Sequence, residues 1–274
     1  MIKYLIAIDM DGTLLNSKKE ICPKTAEYLK QLEKNGHIVV IASGRPIRSI
    51  IKYYNQLGLH SPVVCYNGAN VISPYDKNFK EQSISFPCEI IKSIYNALGP
   101  KHIENVMCET NKELWVIKKD EVLESFFNPC GMKVIIGDIN QTLNQNPMTM
   151  IMKSYSKEDD KYVLEELKKY KNLKLRFWNG QYNIYSEIYH SGVSKSSGLK
   201  YIADYYHIPF ENIIAIGDAS NDIEMFESAG IAIAMKNSDD NTKQHADIVS
   251  EFDNDHDGIM FALQKIITLT KQNT

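Results

Sequence analysis

The sequence predicts an α/β protein with a doubly wound, mostly parallel sheet and an α+β module inserted in it. Short apolar runs alternate with helical segments in the first and last parts of the chain, as at 4–8 and 231–235. Such runs are apolar at every position, which is typical of strands buried on both faces. The middle of the chain instead has paired strands followed by helices, which predicts a separate α+β module.

The N-terminal stretch predicts three strands with two helices between them. The strands are expected at 4–8, 37–42 and 62–66, and the helices at 23–36 and 46–57. Pro23 suits the first turn of a helix, and Gly36 suits a helix end. Because the strands alternate with helices, they are expected to run parallel.

The middle stretch predicts the inserted module. Helices are expected at 89–98 and 157–170, and strands at 113–117 and 148–153. A hairpin is expected from 174–178 and 182–186, because Asn179-Gly180 between them favours a tight turn.

After the module the alternation of strands and helices resumes. Strands are expected at 212–216, 231–235 and 247–249, and helices at 195–206, 222–228 and 258–267. The predicted domains are therefore a core of about 1–82 and 188–274 and an inserted domain of about 83–187.

The composition excludes several classes of protein. Of the 274 residues, 43% are apolar and 24% charged, so disorder is not the main state. The 31 basic and 34 acidic residues argue against a broad basic face for nucleic acid. No apolar run approaches the roughly 20 residues of a membrane helix. The five cysteines, an odd number without Cys-x-x-Cys, argue against a disulfide framework and fit a reducing cytoplasm.

Carboxylates follow two of the predicted strands. Asp9 and Asp11 come directly after the first strand, with Gly12 for a tight turn, and Asp218 follows the strand at 212–216. Ligands of doubly wound sheets bind at the carboxyl ends of the strands. Carboxylates whose side chains converge at that edge repel one another, so they need a cation or a proton between them. Three oxygen ligands with room for water describe a Mg²⁺ site.

Groups suited to phosphate are expected at the same edge. Ser43 and Gly44 follow the second strand at a helix start, where hydroxyl and N–H groups suit a phosphate oxygen. Lys195 opens a later helix and can supply a cation. Each residue alone also has an ordinary interpretation: Ser43 as a helix cap, Lys195 as a surface lysine, and Asp218 as a turn acid. Agreement among several strand and helix ends favours a site.

An acidic turn near the C-terminus is a rival metal site. Residues 253–258, Asp-Asn-Asp-His-Asp-Gly, match the start of an EF-hand calcium loop. Gln264 stands where that loop needs a bidentate glutamate, and no amphipathic helix clearly precedes the turn. A turn that caps a helix is therefore favoured.

Together the motifs resemble those of the haloacid dehalogenase superfamily, in particular Cof-type phosphatases with a type IIB cap. The resemblance spans the chain in the family's order: Asp9-Met10-Asp11-Gly12-Thr13, Ser43-Gly44-Arg45, Asn67-Gly68-Ala69, 187–195 and 217–225. Ser196 and Lys236 depart from the family, where glycine is usual. The resemblance implies a Rossmann-like core, with the inserted module as its cap.

The resemblance also implies a role for each site residue. Asp9 would be the nucleophile that takes the phosphoryl group, and Asp11 the general acid for the leaving oxygen and then the base for water. Mg²⁺ would be held by Asp9, the backbone carbonyl of Asp11, and Asp218, with Asp222 behind these ligands. The phosphoryl oxygens would be held by the Met10 and Gly44 amides and by Ser43, Lys195 and Asn221.

The expected function is Mg²⁺-dependent hydrolysis of phosphate monoesters of small metabolites, such as sugar phosphates, nucleotides or pyridoxal phosphate. A phosphomutase of the same superfamily is an alternative, because a phosphoaspartate can pass its group to a sugar instead of water. A non-catalytic regulator that binds phosphometabolites is another, although binding alone would not need both Asp9 and Asp11. Neither nucleic acid nor membrane is an expected partner, and the physiological substrate and oligomeric state stay open.

Overall fold

A computed structural model describes residues 2–129, 131–178 and 182–272 of the chain. The expected hairpin turn at Asn179-Gly180 and the residue Cys130 lie outside these ranges. The chain divides into two compact units, Met1–Gln82 with Ser194–Thr274, and Ser83–Val193. Within the described ranges, no helix combines the length and the apolar character needed to cross a membrane.

Strands and helices follow one another along the whole chain. The strands are β1 (Leu5–Ile8), β2 (Ile38–Ile41), β3 (Val63–Cys65), β4 (Asn70–Ile72), β5 (Gln82–Ser83), β6 (Ile103–Glu109), β7 (Glu113–Val116), β8 (Lys133–Ile136), β9 (Thr149–Ser154), β10 (Leu173–Phe177), β11 (Tyr185–His190), β12 (Ile213–Gly217), β13 (Ile231–Ala234) and β14 (Ile248–Val249). The helices are α1 (Pro23–Lys34), α2 (Ile47–Leu57), α3 (Cys88–His102), α4 (Glu121–Phe127), α5 (Ile139–Thr142), α6 (Asp160–Leu167), α7 (Lys195–Tyr206), α8 (Ile223–Glu227), α9 (Asp240–Gln244) and α10 (Gly258–Gln272).

A five-stranded parallel sheet forms the centre of the first unit, in the order β14-β13-β12-β1-β2. Strand β1 lies between β12 and β2, and its last residue, Ile8, is level with Ile216 and Ile41. The three strands therefore end at nearly the same height. The parallel α/β fold predicted from the sequence is confirmed.

The core of this unit lies between the sheet and its helices. Leu5 and Ala7 of β1 pack in one cluster with Ile202 of α7 and Met225 of α8, and all four are fully buried. Burial of an aliphatic side chain of this size contributes about 1.5–3 kcal/mol. The strand ends that carry the polar residues are thus fixed by the packing of the strands themselves.

Strand β3 differs from the prediction. The sequence placed residues 62–66 in the parallel sheet, but β3 belongs to a small sheet of order β3-β4-β5. A single parallel bridge between Ala42 and Val64 joins it to the main sheet. The chain turns back at once after Cys65, so that β3 pairs antiparallel with β4.

The second unit has a six-stranded sheet of order β10-β11-β9-β6-β7-β8. Its strands pair antiparallel, except for β7 and β8, which pair parallel. Ile91 and Ile94 of α3 and Val163 of α6 pack with Trp115 and Met150 of the sheet in a buried core. The α+β architecture expected for this part of the chain is present.

Several elements of the second unit were not predicted. Strand β6 and helix α4 were missed, because charged and polar residues interrupt their apolar pattern, and strand β8 was missed because it is short and largely exposed. The second hairpin strand was expected at 182–186, but β11 begins and ends later. Strand β11 continues to His190 in this sheet, and the first compact unit resumes at Ser194.

Candidate functional site

Polar residues gather where β1, β12 and β2 end. Asp9 directly follows β1, and its N–H donates to the carbonyl of Ile216 in β12 (2.9 Å). On the other side of β1, the N–H of Ala42 donates to the carbonyl of Ile8 (2.9 Å). Ser43 is the next residue after Ala42, so it lies at the same edge of the sheet as Asp9. The convergence of strand ends that the sequence predicted is therefore present in the structure.

Lys195 lies between two carboxylates at this edge. Its Nζ donates to Oδ1 of Asp9 and to Oδ1 of Asp222 (2.6 Å), and its side chain is fully buried. Burial alone would lower the pKa of Lys195, but Asp222 and Asp9 raise it above the ordinary value. The lysine is therefore charged, and its interpretation as a surface residue is wrong.

The carboxylates of Asp9, Asp218 and Asp222 form a cluster. One oxygen from each lies within 4.8 Å of the others. Burial, with the charges of Asp222 and Asp218, raises the pKa of Asp9 well above its ordinary value, although Lys195 opposes this. Burial and the charge of Asp222 raise the pKa of Asp218 to about 6. One lysine thus does not balance three ionised acids, so the cluster needs a proton or a further cation.

Asp222 is held by the protein on both of its oxygens. Oδ2 accepts from the N–H groups of Asp218 and Ala219, each at 3.0 Å, while Oδ1 accepts from Lys195. The residue is fully buried at the end of the short segment Ser220–Asp222, directly before α8. With both oxygens engaged in this way, Asp222 orients its neighbours rather than reaching for a ligand of its own.

Gly12 lets the first loop approach Asp218 closely. Its φ of 85° lies in the left-handed region, and a Cβ built there would be 2.3 Å from Oδ2 of Asp218. The next residue, Thr13, is buried and donates from Oγ1 to Oδ1 of Asp218 (2.8 Å). The loop after β1 therefore holds the carboxylate that follows β12.

Asp11 is not one of the three clustered carboxylates and is paired with two cations. Nε and Nη2 of Arg45 donate to its two oxygens, each at 2.6 Å, and Nζ of Lys19 donates to Oδ1 at 2.8 Å. Burial raises the pKa of Asp11, but these hydrogen bonds and charges outweigh it and lower the pKa below its ordinary value. The sequence did not predict these two partners of Asp11, and the role of Asp11 as the acid and base group stays a prediction.

Three of the expected phosphate-binding residues, Ser43, Gly44 and Asn221, lie around one asparagine. Ser43 is buried, its Oγ accepts from the N–H of Arg45 (3.1 Å), and its carbonyl accepts from the N–H of Asn67 (2.9 Å). Nδ2 of Asn221 donates to Oδ1 of Asn67 (3.1 Å). A Cβ on Gly44 would lie 3.0 Å from Nδ2 of Asn67. Met10, fully buried, lies between Asp9 and Asp11 in the loop.

Comparison with known proteins identifies the family. The model for haloacid dehalogenase-like hydrolases matches residues 6–263, which is nearly the whole chain. The chain belongs to this family. The resemblance noted in the sequence is thereby confirmed, together with the hydrolase class that it implies.

Several relatives that the chain matches are named phosphatases with a stated substrate. A 5-amino-6-(5-phospho-D-ribitylamino)uracil phosphatase of Bacillus subtilis is 34% identical over 269 residues, 97% of this chain and 98% of the relative. A pyridoxal phosphate phosphatase of Escherichia coli is 30% identical over 265 residues, 91% of this chain and 93% of the relative. A solved haloacid dehalogenase-like hydrolase from Bacteroides thetaiotaomicron matches with a TM-score of 0.81 and 25% identity, over 96% of this chain and 99% of its own.

Four residues of this hydrolase site were given no role from the sequence. Arg45 and Asn67 stood in quoted motifs without an assigned partner, and Thr13 and Lys19 follow the first acid pair in the chain. Spacing alone does not reveal them, because their partners are as distant as Asp218 and Asn221. The position of Arg45 at a helix start, directly after Gly44, was the one available signal.

The acidic turn at 253–258 uses its side chains within the protein. Oδ1 of Asp255 accepts from the N–H of Ser17 (2.7 Å). Oδ1 of Asp257 accepts from the N–H and the hydroxyl of Thr25, at 3.1 and 2.8 Å. Helix α10 begins at the next residue, Gly258. These contacts join the start of α10 to the N-terminal loop and support the favoured interpretation as a capping turn.

Proposed function

We propose that the chain is a Mg²⁺-dependent phosphatase that hydrolyses phosphate monoesters of small metabolites through a phosphoaspartate. The observation that carries this proposal is the buried Lys195, hydrogen-bonded to Asp9 at the end of the central strand. A carboxylate there is nucleophilic without prior deprotonation, and the lysine orients it while adding positive charge for the phosphoryl oxygens.

The first half-reaction takes place on Asp9. A carboxylate oxygen attacks phosphorus and the ester oxygen leaves with a proton from Asp11, which gives an acyl phosphate on Asp9 and a free alcohol. In the second half-reaction Asp11 accepts a proton from water, which attacks phosphorus and releases phosphate. Lys195, Ser43, Asn221 and the Met10 and Gly44 amides hold the phosphoryl oxygens.

The donors at this edge fit a hard cation. They are carboxylate oxygens, the ligands that Mg²⁺ prefers, and two buried acids and the half-buried Asp218 meet one lysine. Asp9, Asp218 and the backbone carbonyl of Asp11 would hold the ion, with Asp222 fixing the Asp218 loop. A bound Mg²⁺ supplies positive charge against the phosphoryl oxygens.

The role of the second unit and the substrate are proposals as well. We assign Ser83–Val193 as the cap, the part of the chain that would select small substrates. The named relatives favour 5-amino-6-(5-phospho-D-ribitylamino)uracil first and pyridoxal phosphate second as compounds to test. A cytoplasmic location stays a prediction from the cysteine count.

A panel of phosphorylated metabolites, assayed for phosphate release with Mg²⁺ or with EDTA, tests the proposal. Release with Mg²⁺ and none with EDTA or in Asp9→Asn is the expected result. Transfer of the group to a second sugar, without free phosphate, would identify a phosphomutase. Binding without turnover for every compound would instead indicate a regulator.

A further inference from the structure

The turn after β3 has an unusual backbone. Tyr66, Asn67 and Gly68 have φ angles of 48°, 52° and 105°, three positive values in succession. A positive φ is uncommon for residues other than glycine, and such strain persists only where the surroundings hold it. Asparagine tolerates this region better than most residues.

The backbone of this turn joins two parts of the site. The N–H of Tyr66 donates to the carbonyl of Arg45 (3.2 Å), and the N–H of Asn67 donates to that of Ser43 (2.9 Å). Gly68 packs against the residue before α7, since a Cβ there would lie 2.0 Å from the carbonyl oxygen of Ser194. The turn therefore lies between the Ser43 loop and the helix that begins with Lys195.

The side chain of Asn67 adds a third part. It is 6% exposed, and its Oδ1 accepts from Nδ2 of Asn221 (3.1 Å). Its Nδ2 lies against Gly44. One side chain thus contacts Asn221 and Gly44, which come from loops after β12 and β2.

We propose that Asn67 is a positioning residue for phosphoryl binding, which fixes the amide of Asn221 relative to Ser43 and Gly44. This inference rests on the proposed function, in which those three residues hold the phosphoryl oxygens. An asparagine on a loop has several rotamers, and a hydrogen bond to a buried acceptor selects one of them before the substrate arrives. Donors that are already oriented stabilise the transferring group without reorganisation.

The variant Asn67→Gly tests this role, because glycine keeps the left-handed backbone while the acceptor for Asn221 is lost. The value of kcat/KM with p-nitrophenyl phosphate and Mg²⁺ is expected to fall about tenfold. A misplaced Asn221 amide loses its hydrogen bond to the charged phosphoryl group, and a loss of this kind has about that size. The affinity for inorganic phosphate should fall as well. His207→Gly makes the same change at an exposed residue with a φ of 54° at the end of α7, and should leave both values unchanged.

A double-mutant cycle separates positioning from a general structural role. In the Asn221→Ala background, Asn67→Gly should lower kcat/KM by less than about twofold, because the effect of Asn67 acts through Asn221. In the Asn67→Asp background, which keeps the acceptor, Asn221→Ala should retain its wild-type cost. If Asn67→Gly does not fold, Asn67→Ala replaces it in the first arm, because alanine also lacks the acceptor for Asn221.

The outcomes distinguish this inference from the proposed function. If Asn67→Gly lowers kcat/KM equally with and without the Asn221 side chain, or does not lower it at all, the positioning role of Asn67 is overturned. The proposed function is unaffected by that result. If Asn221→Ala has full activity, the assignment of Asn221 to phosphoryl binding fails instead.

Discussion

Arg45 holds both carboxylate oxygens of Asp11, with Nε and Nη2 each 2.6 Å from their acceptors. The guanidinium fork matches a carboxylate, so this pair fixes the direction of the side chain as well as its charge. Lys19 adds a third hydrogen bond from an exposed position, where solvent weakens it. Arg45 is therefore the main determinant of where Asp11 points.

The variant Arg45→Lys keeps the charge and loses the fork. Turnover of an alkyl phosphate should fall about tenfold, since a hydrogen bond to a charged group contributes about 1.5–3 kcal/mol. Arg176→Lys, at an arginine that donates to Glu187 within the second unit (3.2 Å), is the matched control and should have wild-type turnover. Equal rates for wild type and Arg45→Lys would mean that the fork does not orient Asp11.

The sequence sufficed to predict the end of each central strand, because continuous apolar runs fix both the strands and the loops that follow. Asp9, Ser43 and Asp218 were placed at one edge on that ground alone. Lys195 was placed only at a helix start, and its complete burial followed from contacts with Asp9 and Asp222 that no local pattern contains. Side-chain direction was the part that sequence did not determine.

The same limit explains the elements that were missed. Strand β6 carries Asn105 and Glu109, both buried, which a hydrophobic pattern does not allow for. Nδ2 of Asn105 donates to the carbonyl of Lys118 (2.9 Å), which lies just beyond the end of β7, and only the assembled unit creates this contact. Polar residues buried by tertiary contacts therefore mask strands that are otherwise regular.

Gly12→Ala tests the close approach to Asp218. Gly36→Ala is a matched control, because φ is 85° at Gly12 and 89° at Gly36, while nothing lies within 4 Å of a Cβ on Gly36. Both variants should lose about 1–2 kcal/mol of stability from the left-handed backbone. Only Gly12→Ala should also displace Asp218 and lower turnover by about 10²-fold. Equal turnover in the two variants would contradict the packing of Gly12 on Asp218.

Stabilisation by Mg²⁺ should depend on pH. Without metal, the pKa of Asp218 is raised to about 6 in the folded protein, against roughly 3.9 when unfolded. Its contribution to stability is therefore complete below about pH 4 and is lost as the pH rises through about 6. Since Mg²⁺ binds the ionised acid, it should raise the unfolding temperature more at about pH 7.5 than at about pH 5.

The measurement is thermal unfolding with Mg²⁺ or EDTA at both pH values. Asp218→Asn should remove most of the difference between them, because the titrating ligand is gone. The same shift by Mg²⁺ at both pH values would show that Asp218 does not take part in metal binding.

Lys195→Met should affect both folding and catalysis. Without the lysine, Asp9 and Asp222 are buried acids that have lost their shared cation. Breaking a buried ion pair in this way lowers the free energy of unfolding by about 3–5 kcal/mol. Turnover should fall by at least about 10²-fold, as when one preorganised donor is removed. Urea unfolding and initial rates are compared with Lys200→Met, an exposed lysine of the same helix. Wild-type turnover in a folded Lys195→Met protein would exclude the lysine from catalysis.

Asp9 and Asp11 should fail at different steps. Asp9→Asn removes the nucleophile, so no phosphoenzyme forms with any substrate. Asp11→Asn keeps the nucleophile and the backbone carbonyl, but it loses the acid and base group. Because p-nitrophenolate leaves without a proton, Asp11→Asn should release a burst of up to one nitrophenolate per site and then nearly stop. With an alkyl phosphate the burst should be small, because departure of the alkoxide needs the proton.

Rapid-quench kinetics with both substrates measures formation and hydrolysis of the phosphoenzyme separately. Hydroxylamine should release phosphate from the stalled Asp11→Asn enzyme, as it does from an acyl phosphate. Lys18→Met, an exposed neighbour of Lys19, is a control that should turn over both substrates at wild-type rates. A burst in Asp9→Asn would show that another group is the nucleophile. Wild-type turnover of both substrates by Asp11→Asn would mean that the carboxylate held by Arg45 transfers no proton, and the acid and base would then have to be sought elsewhere.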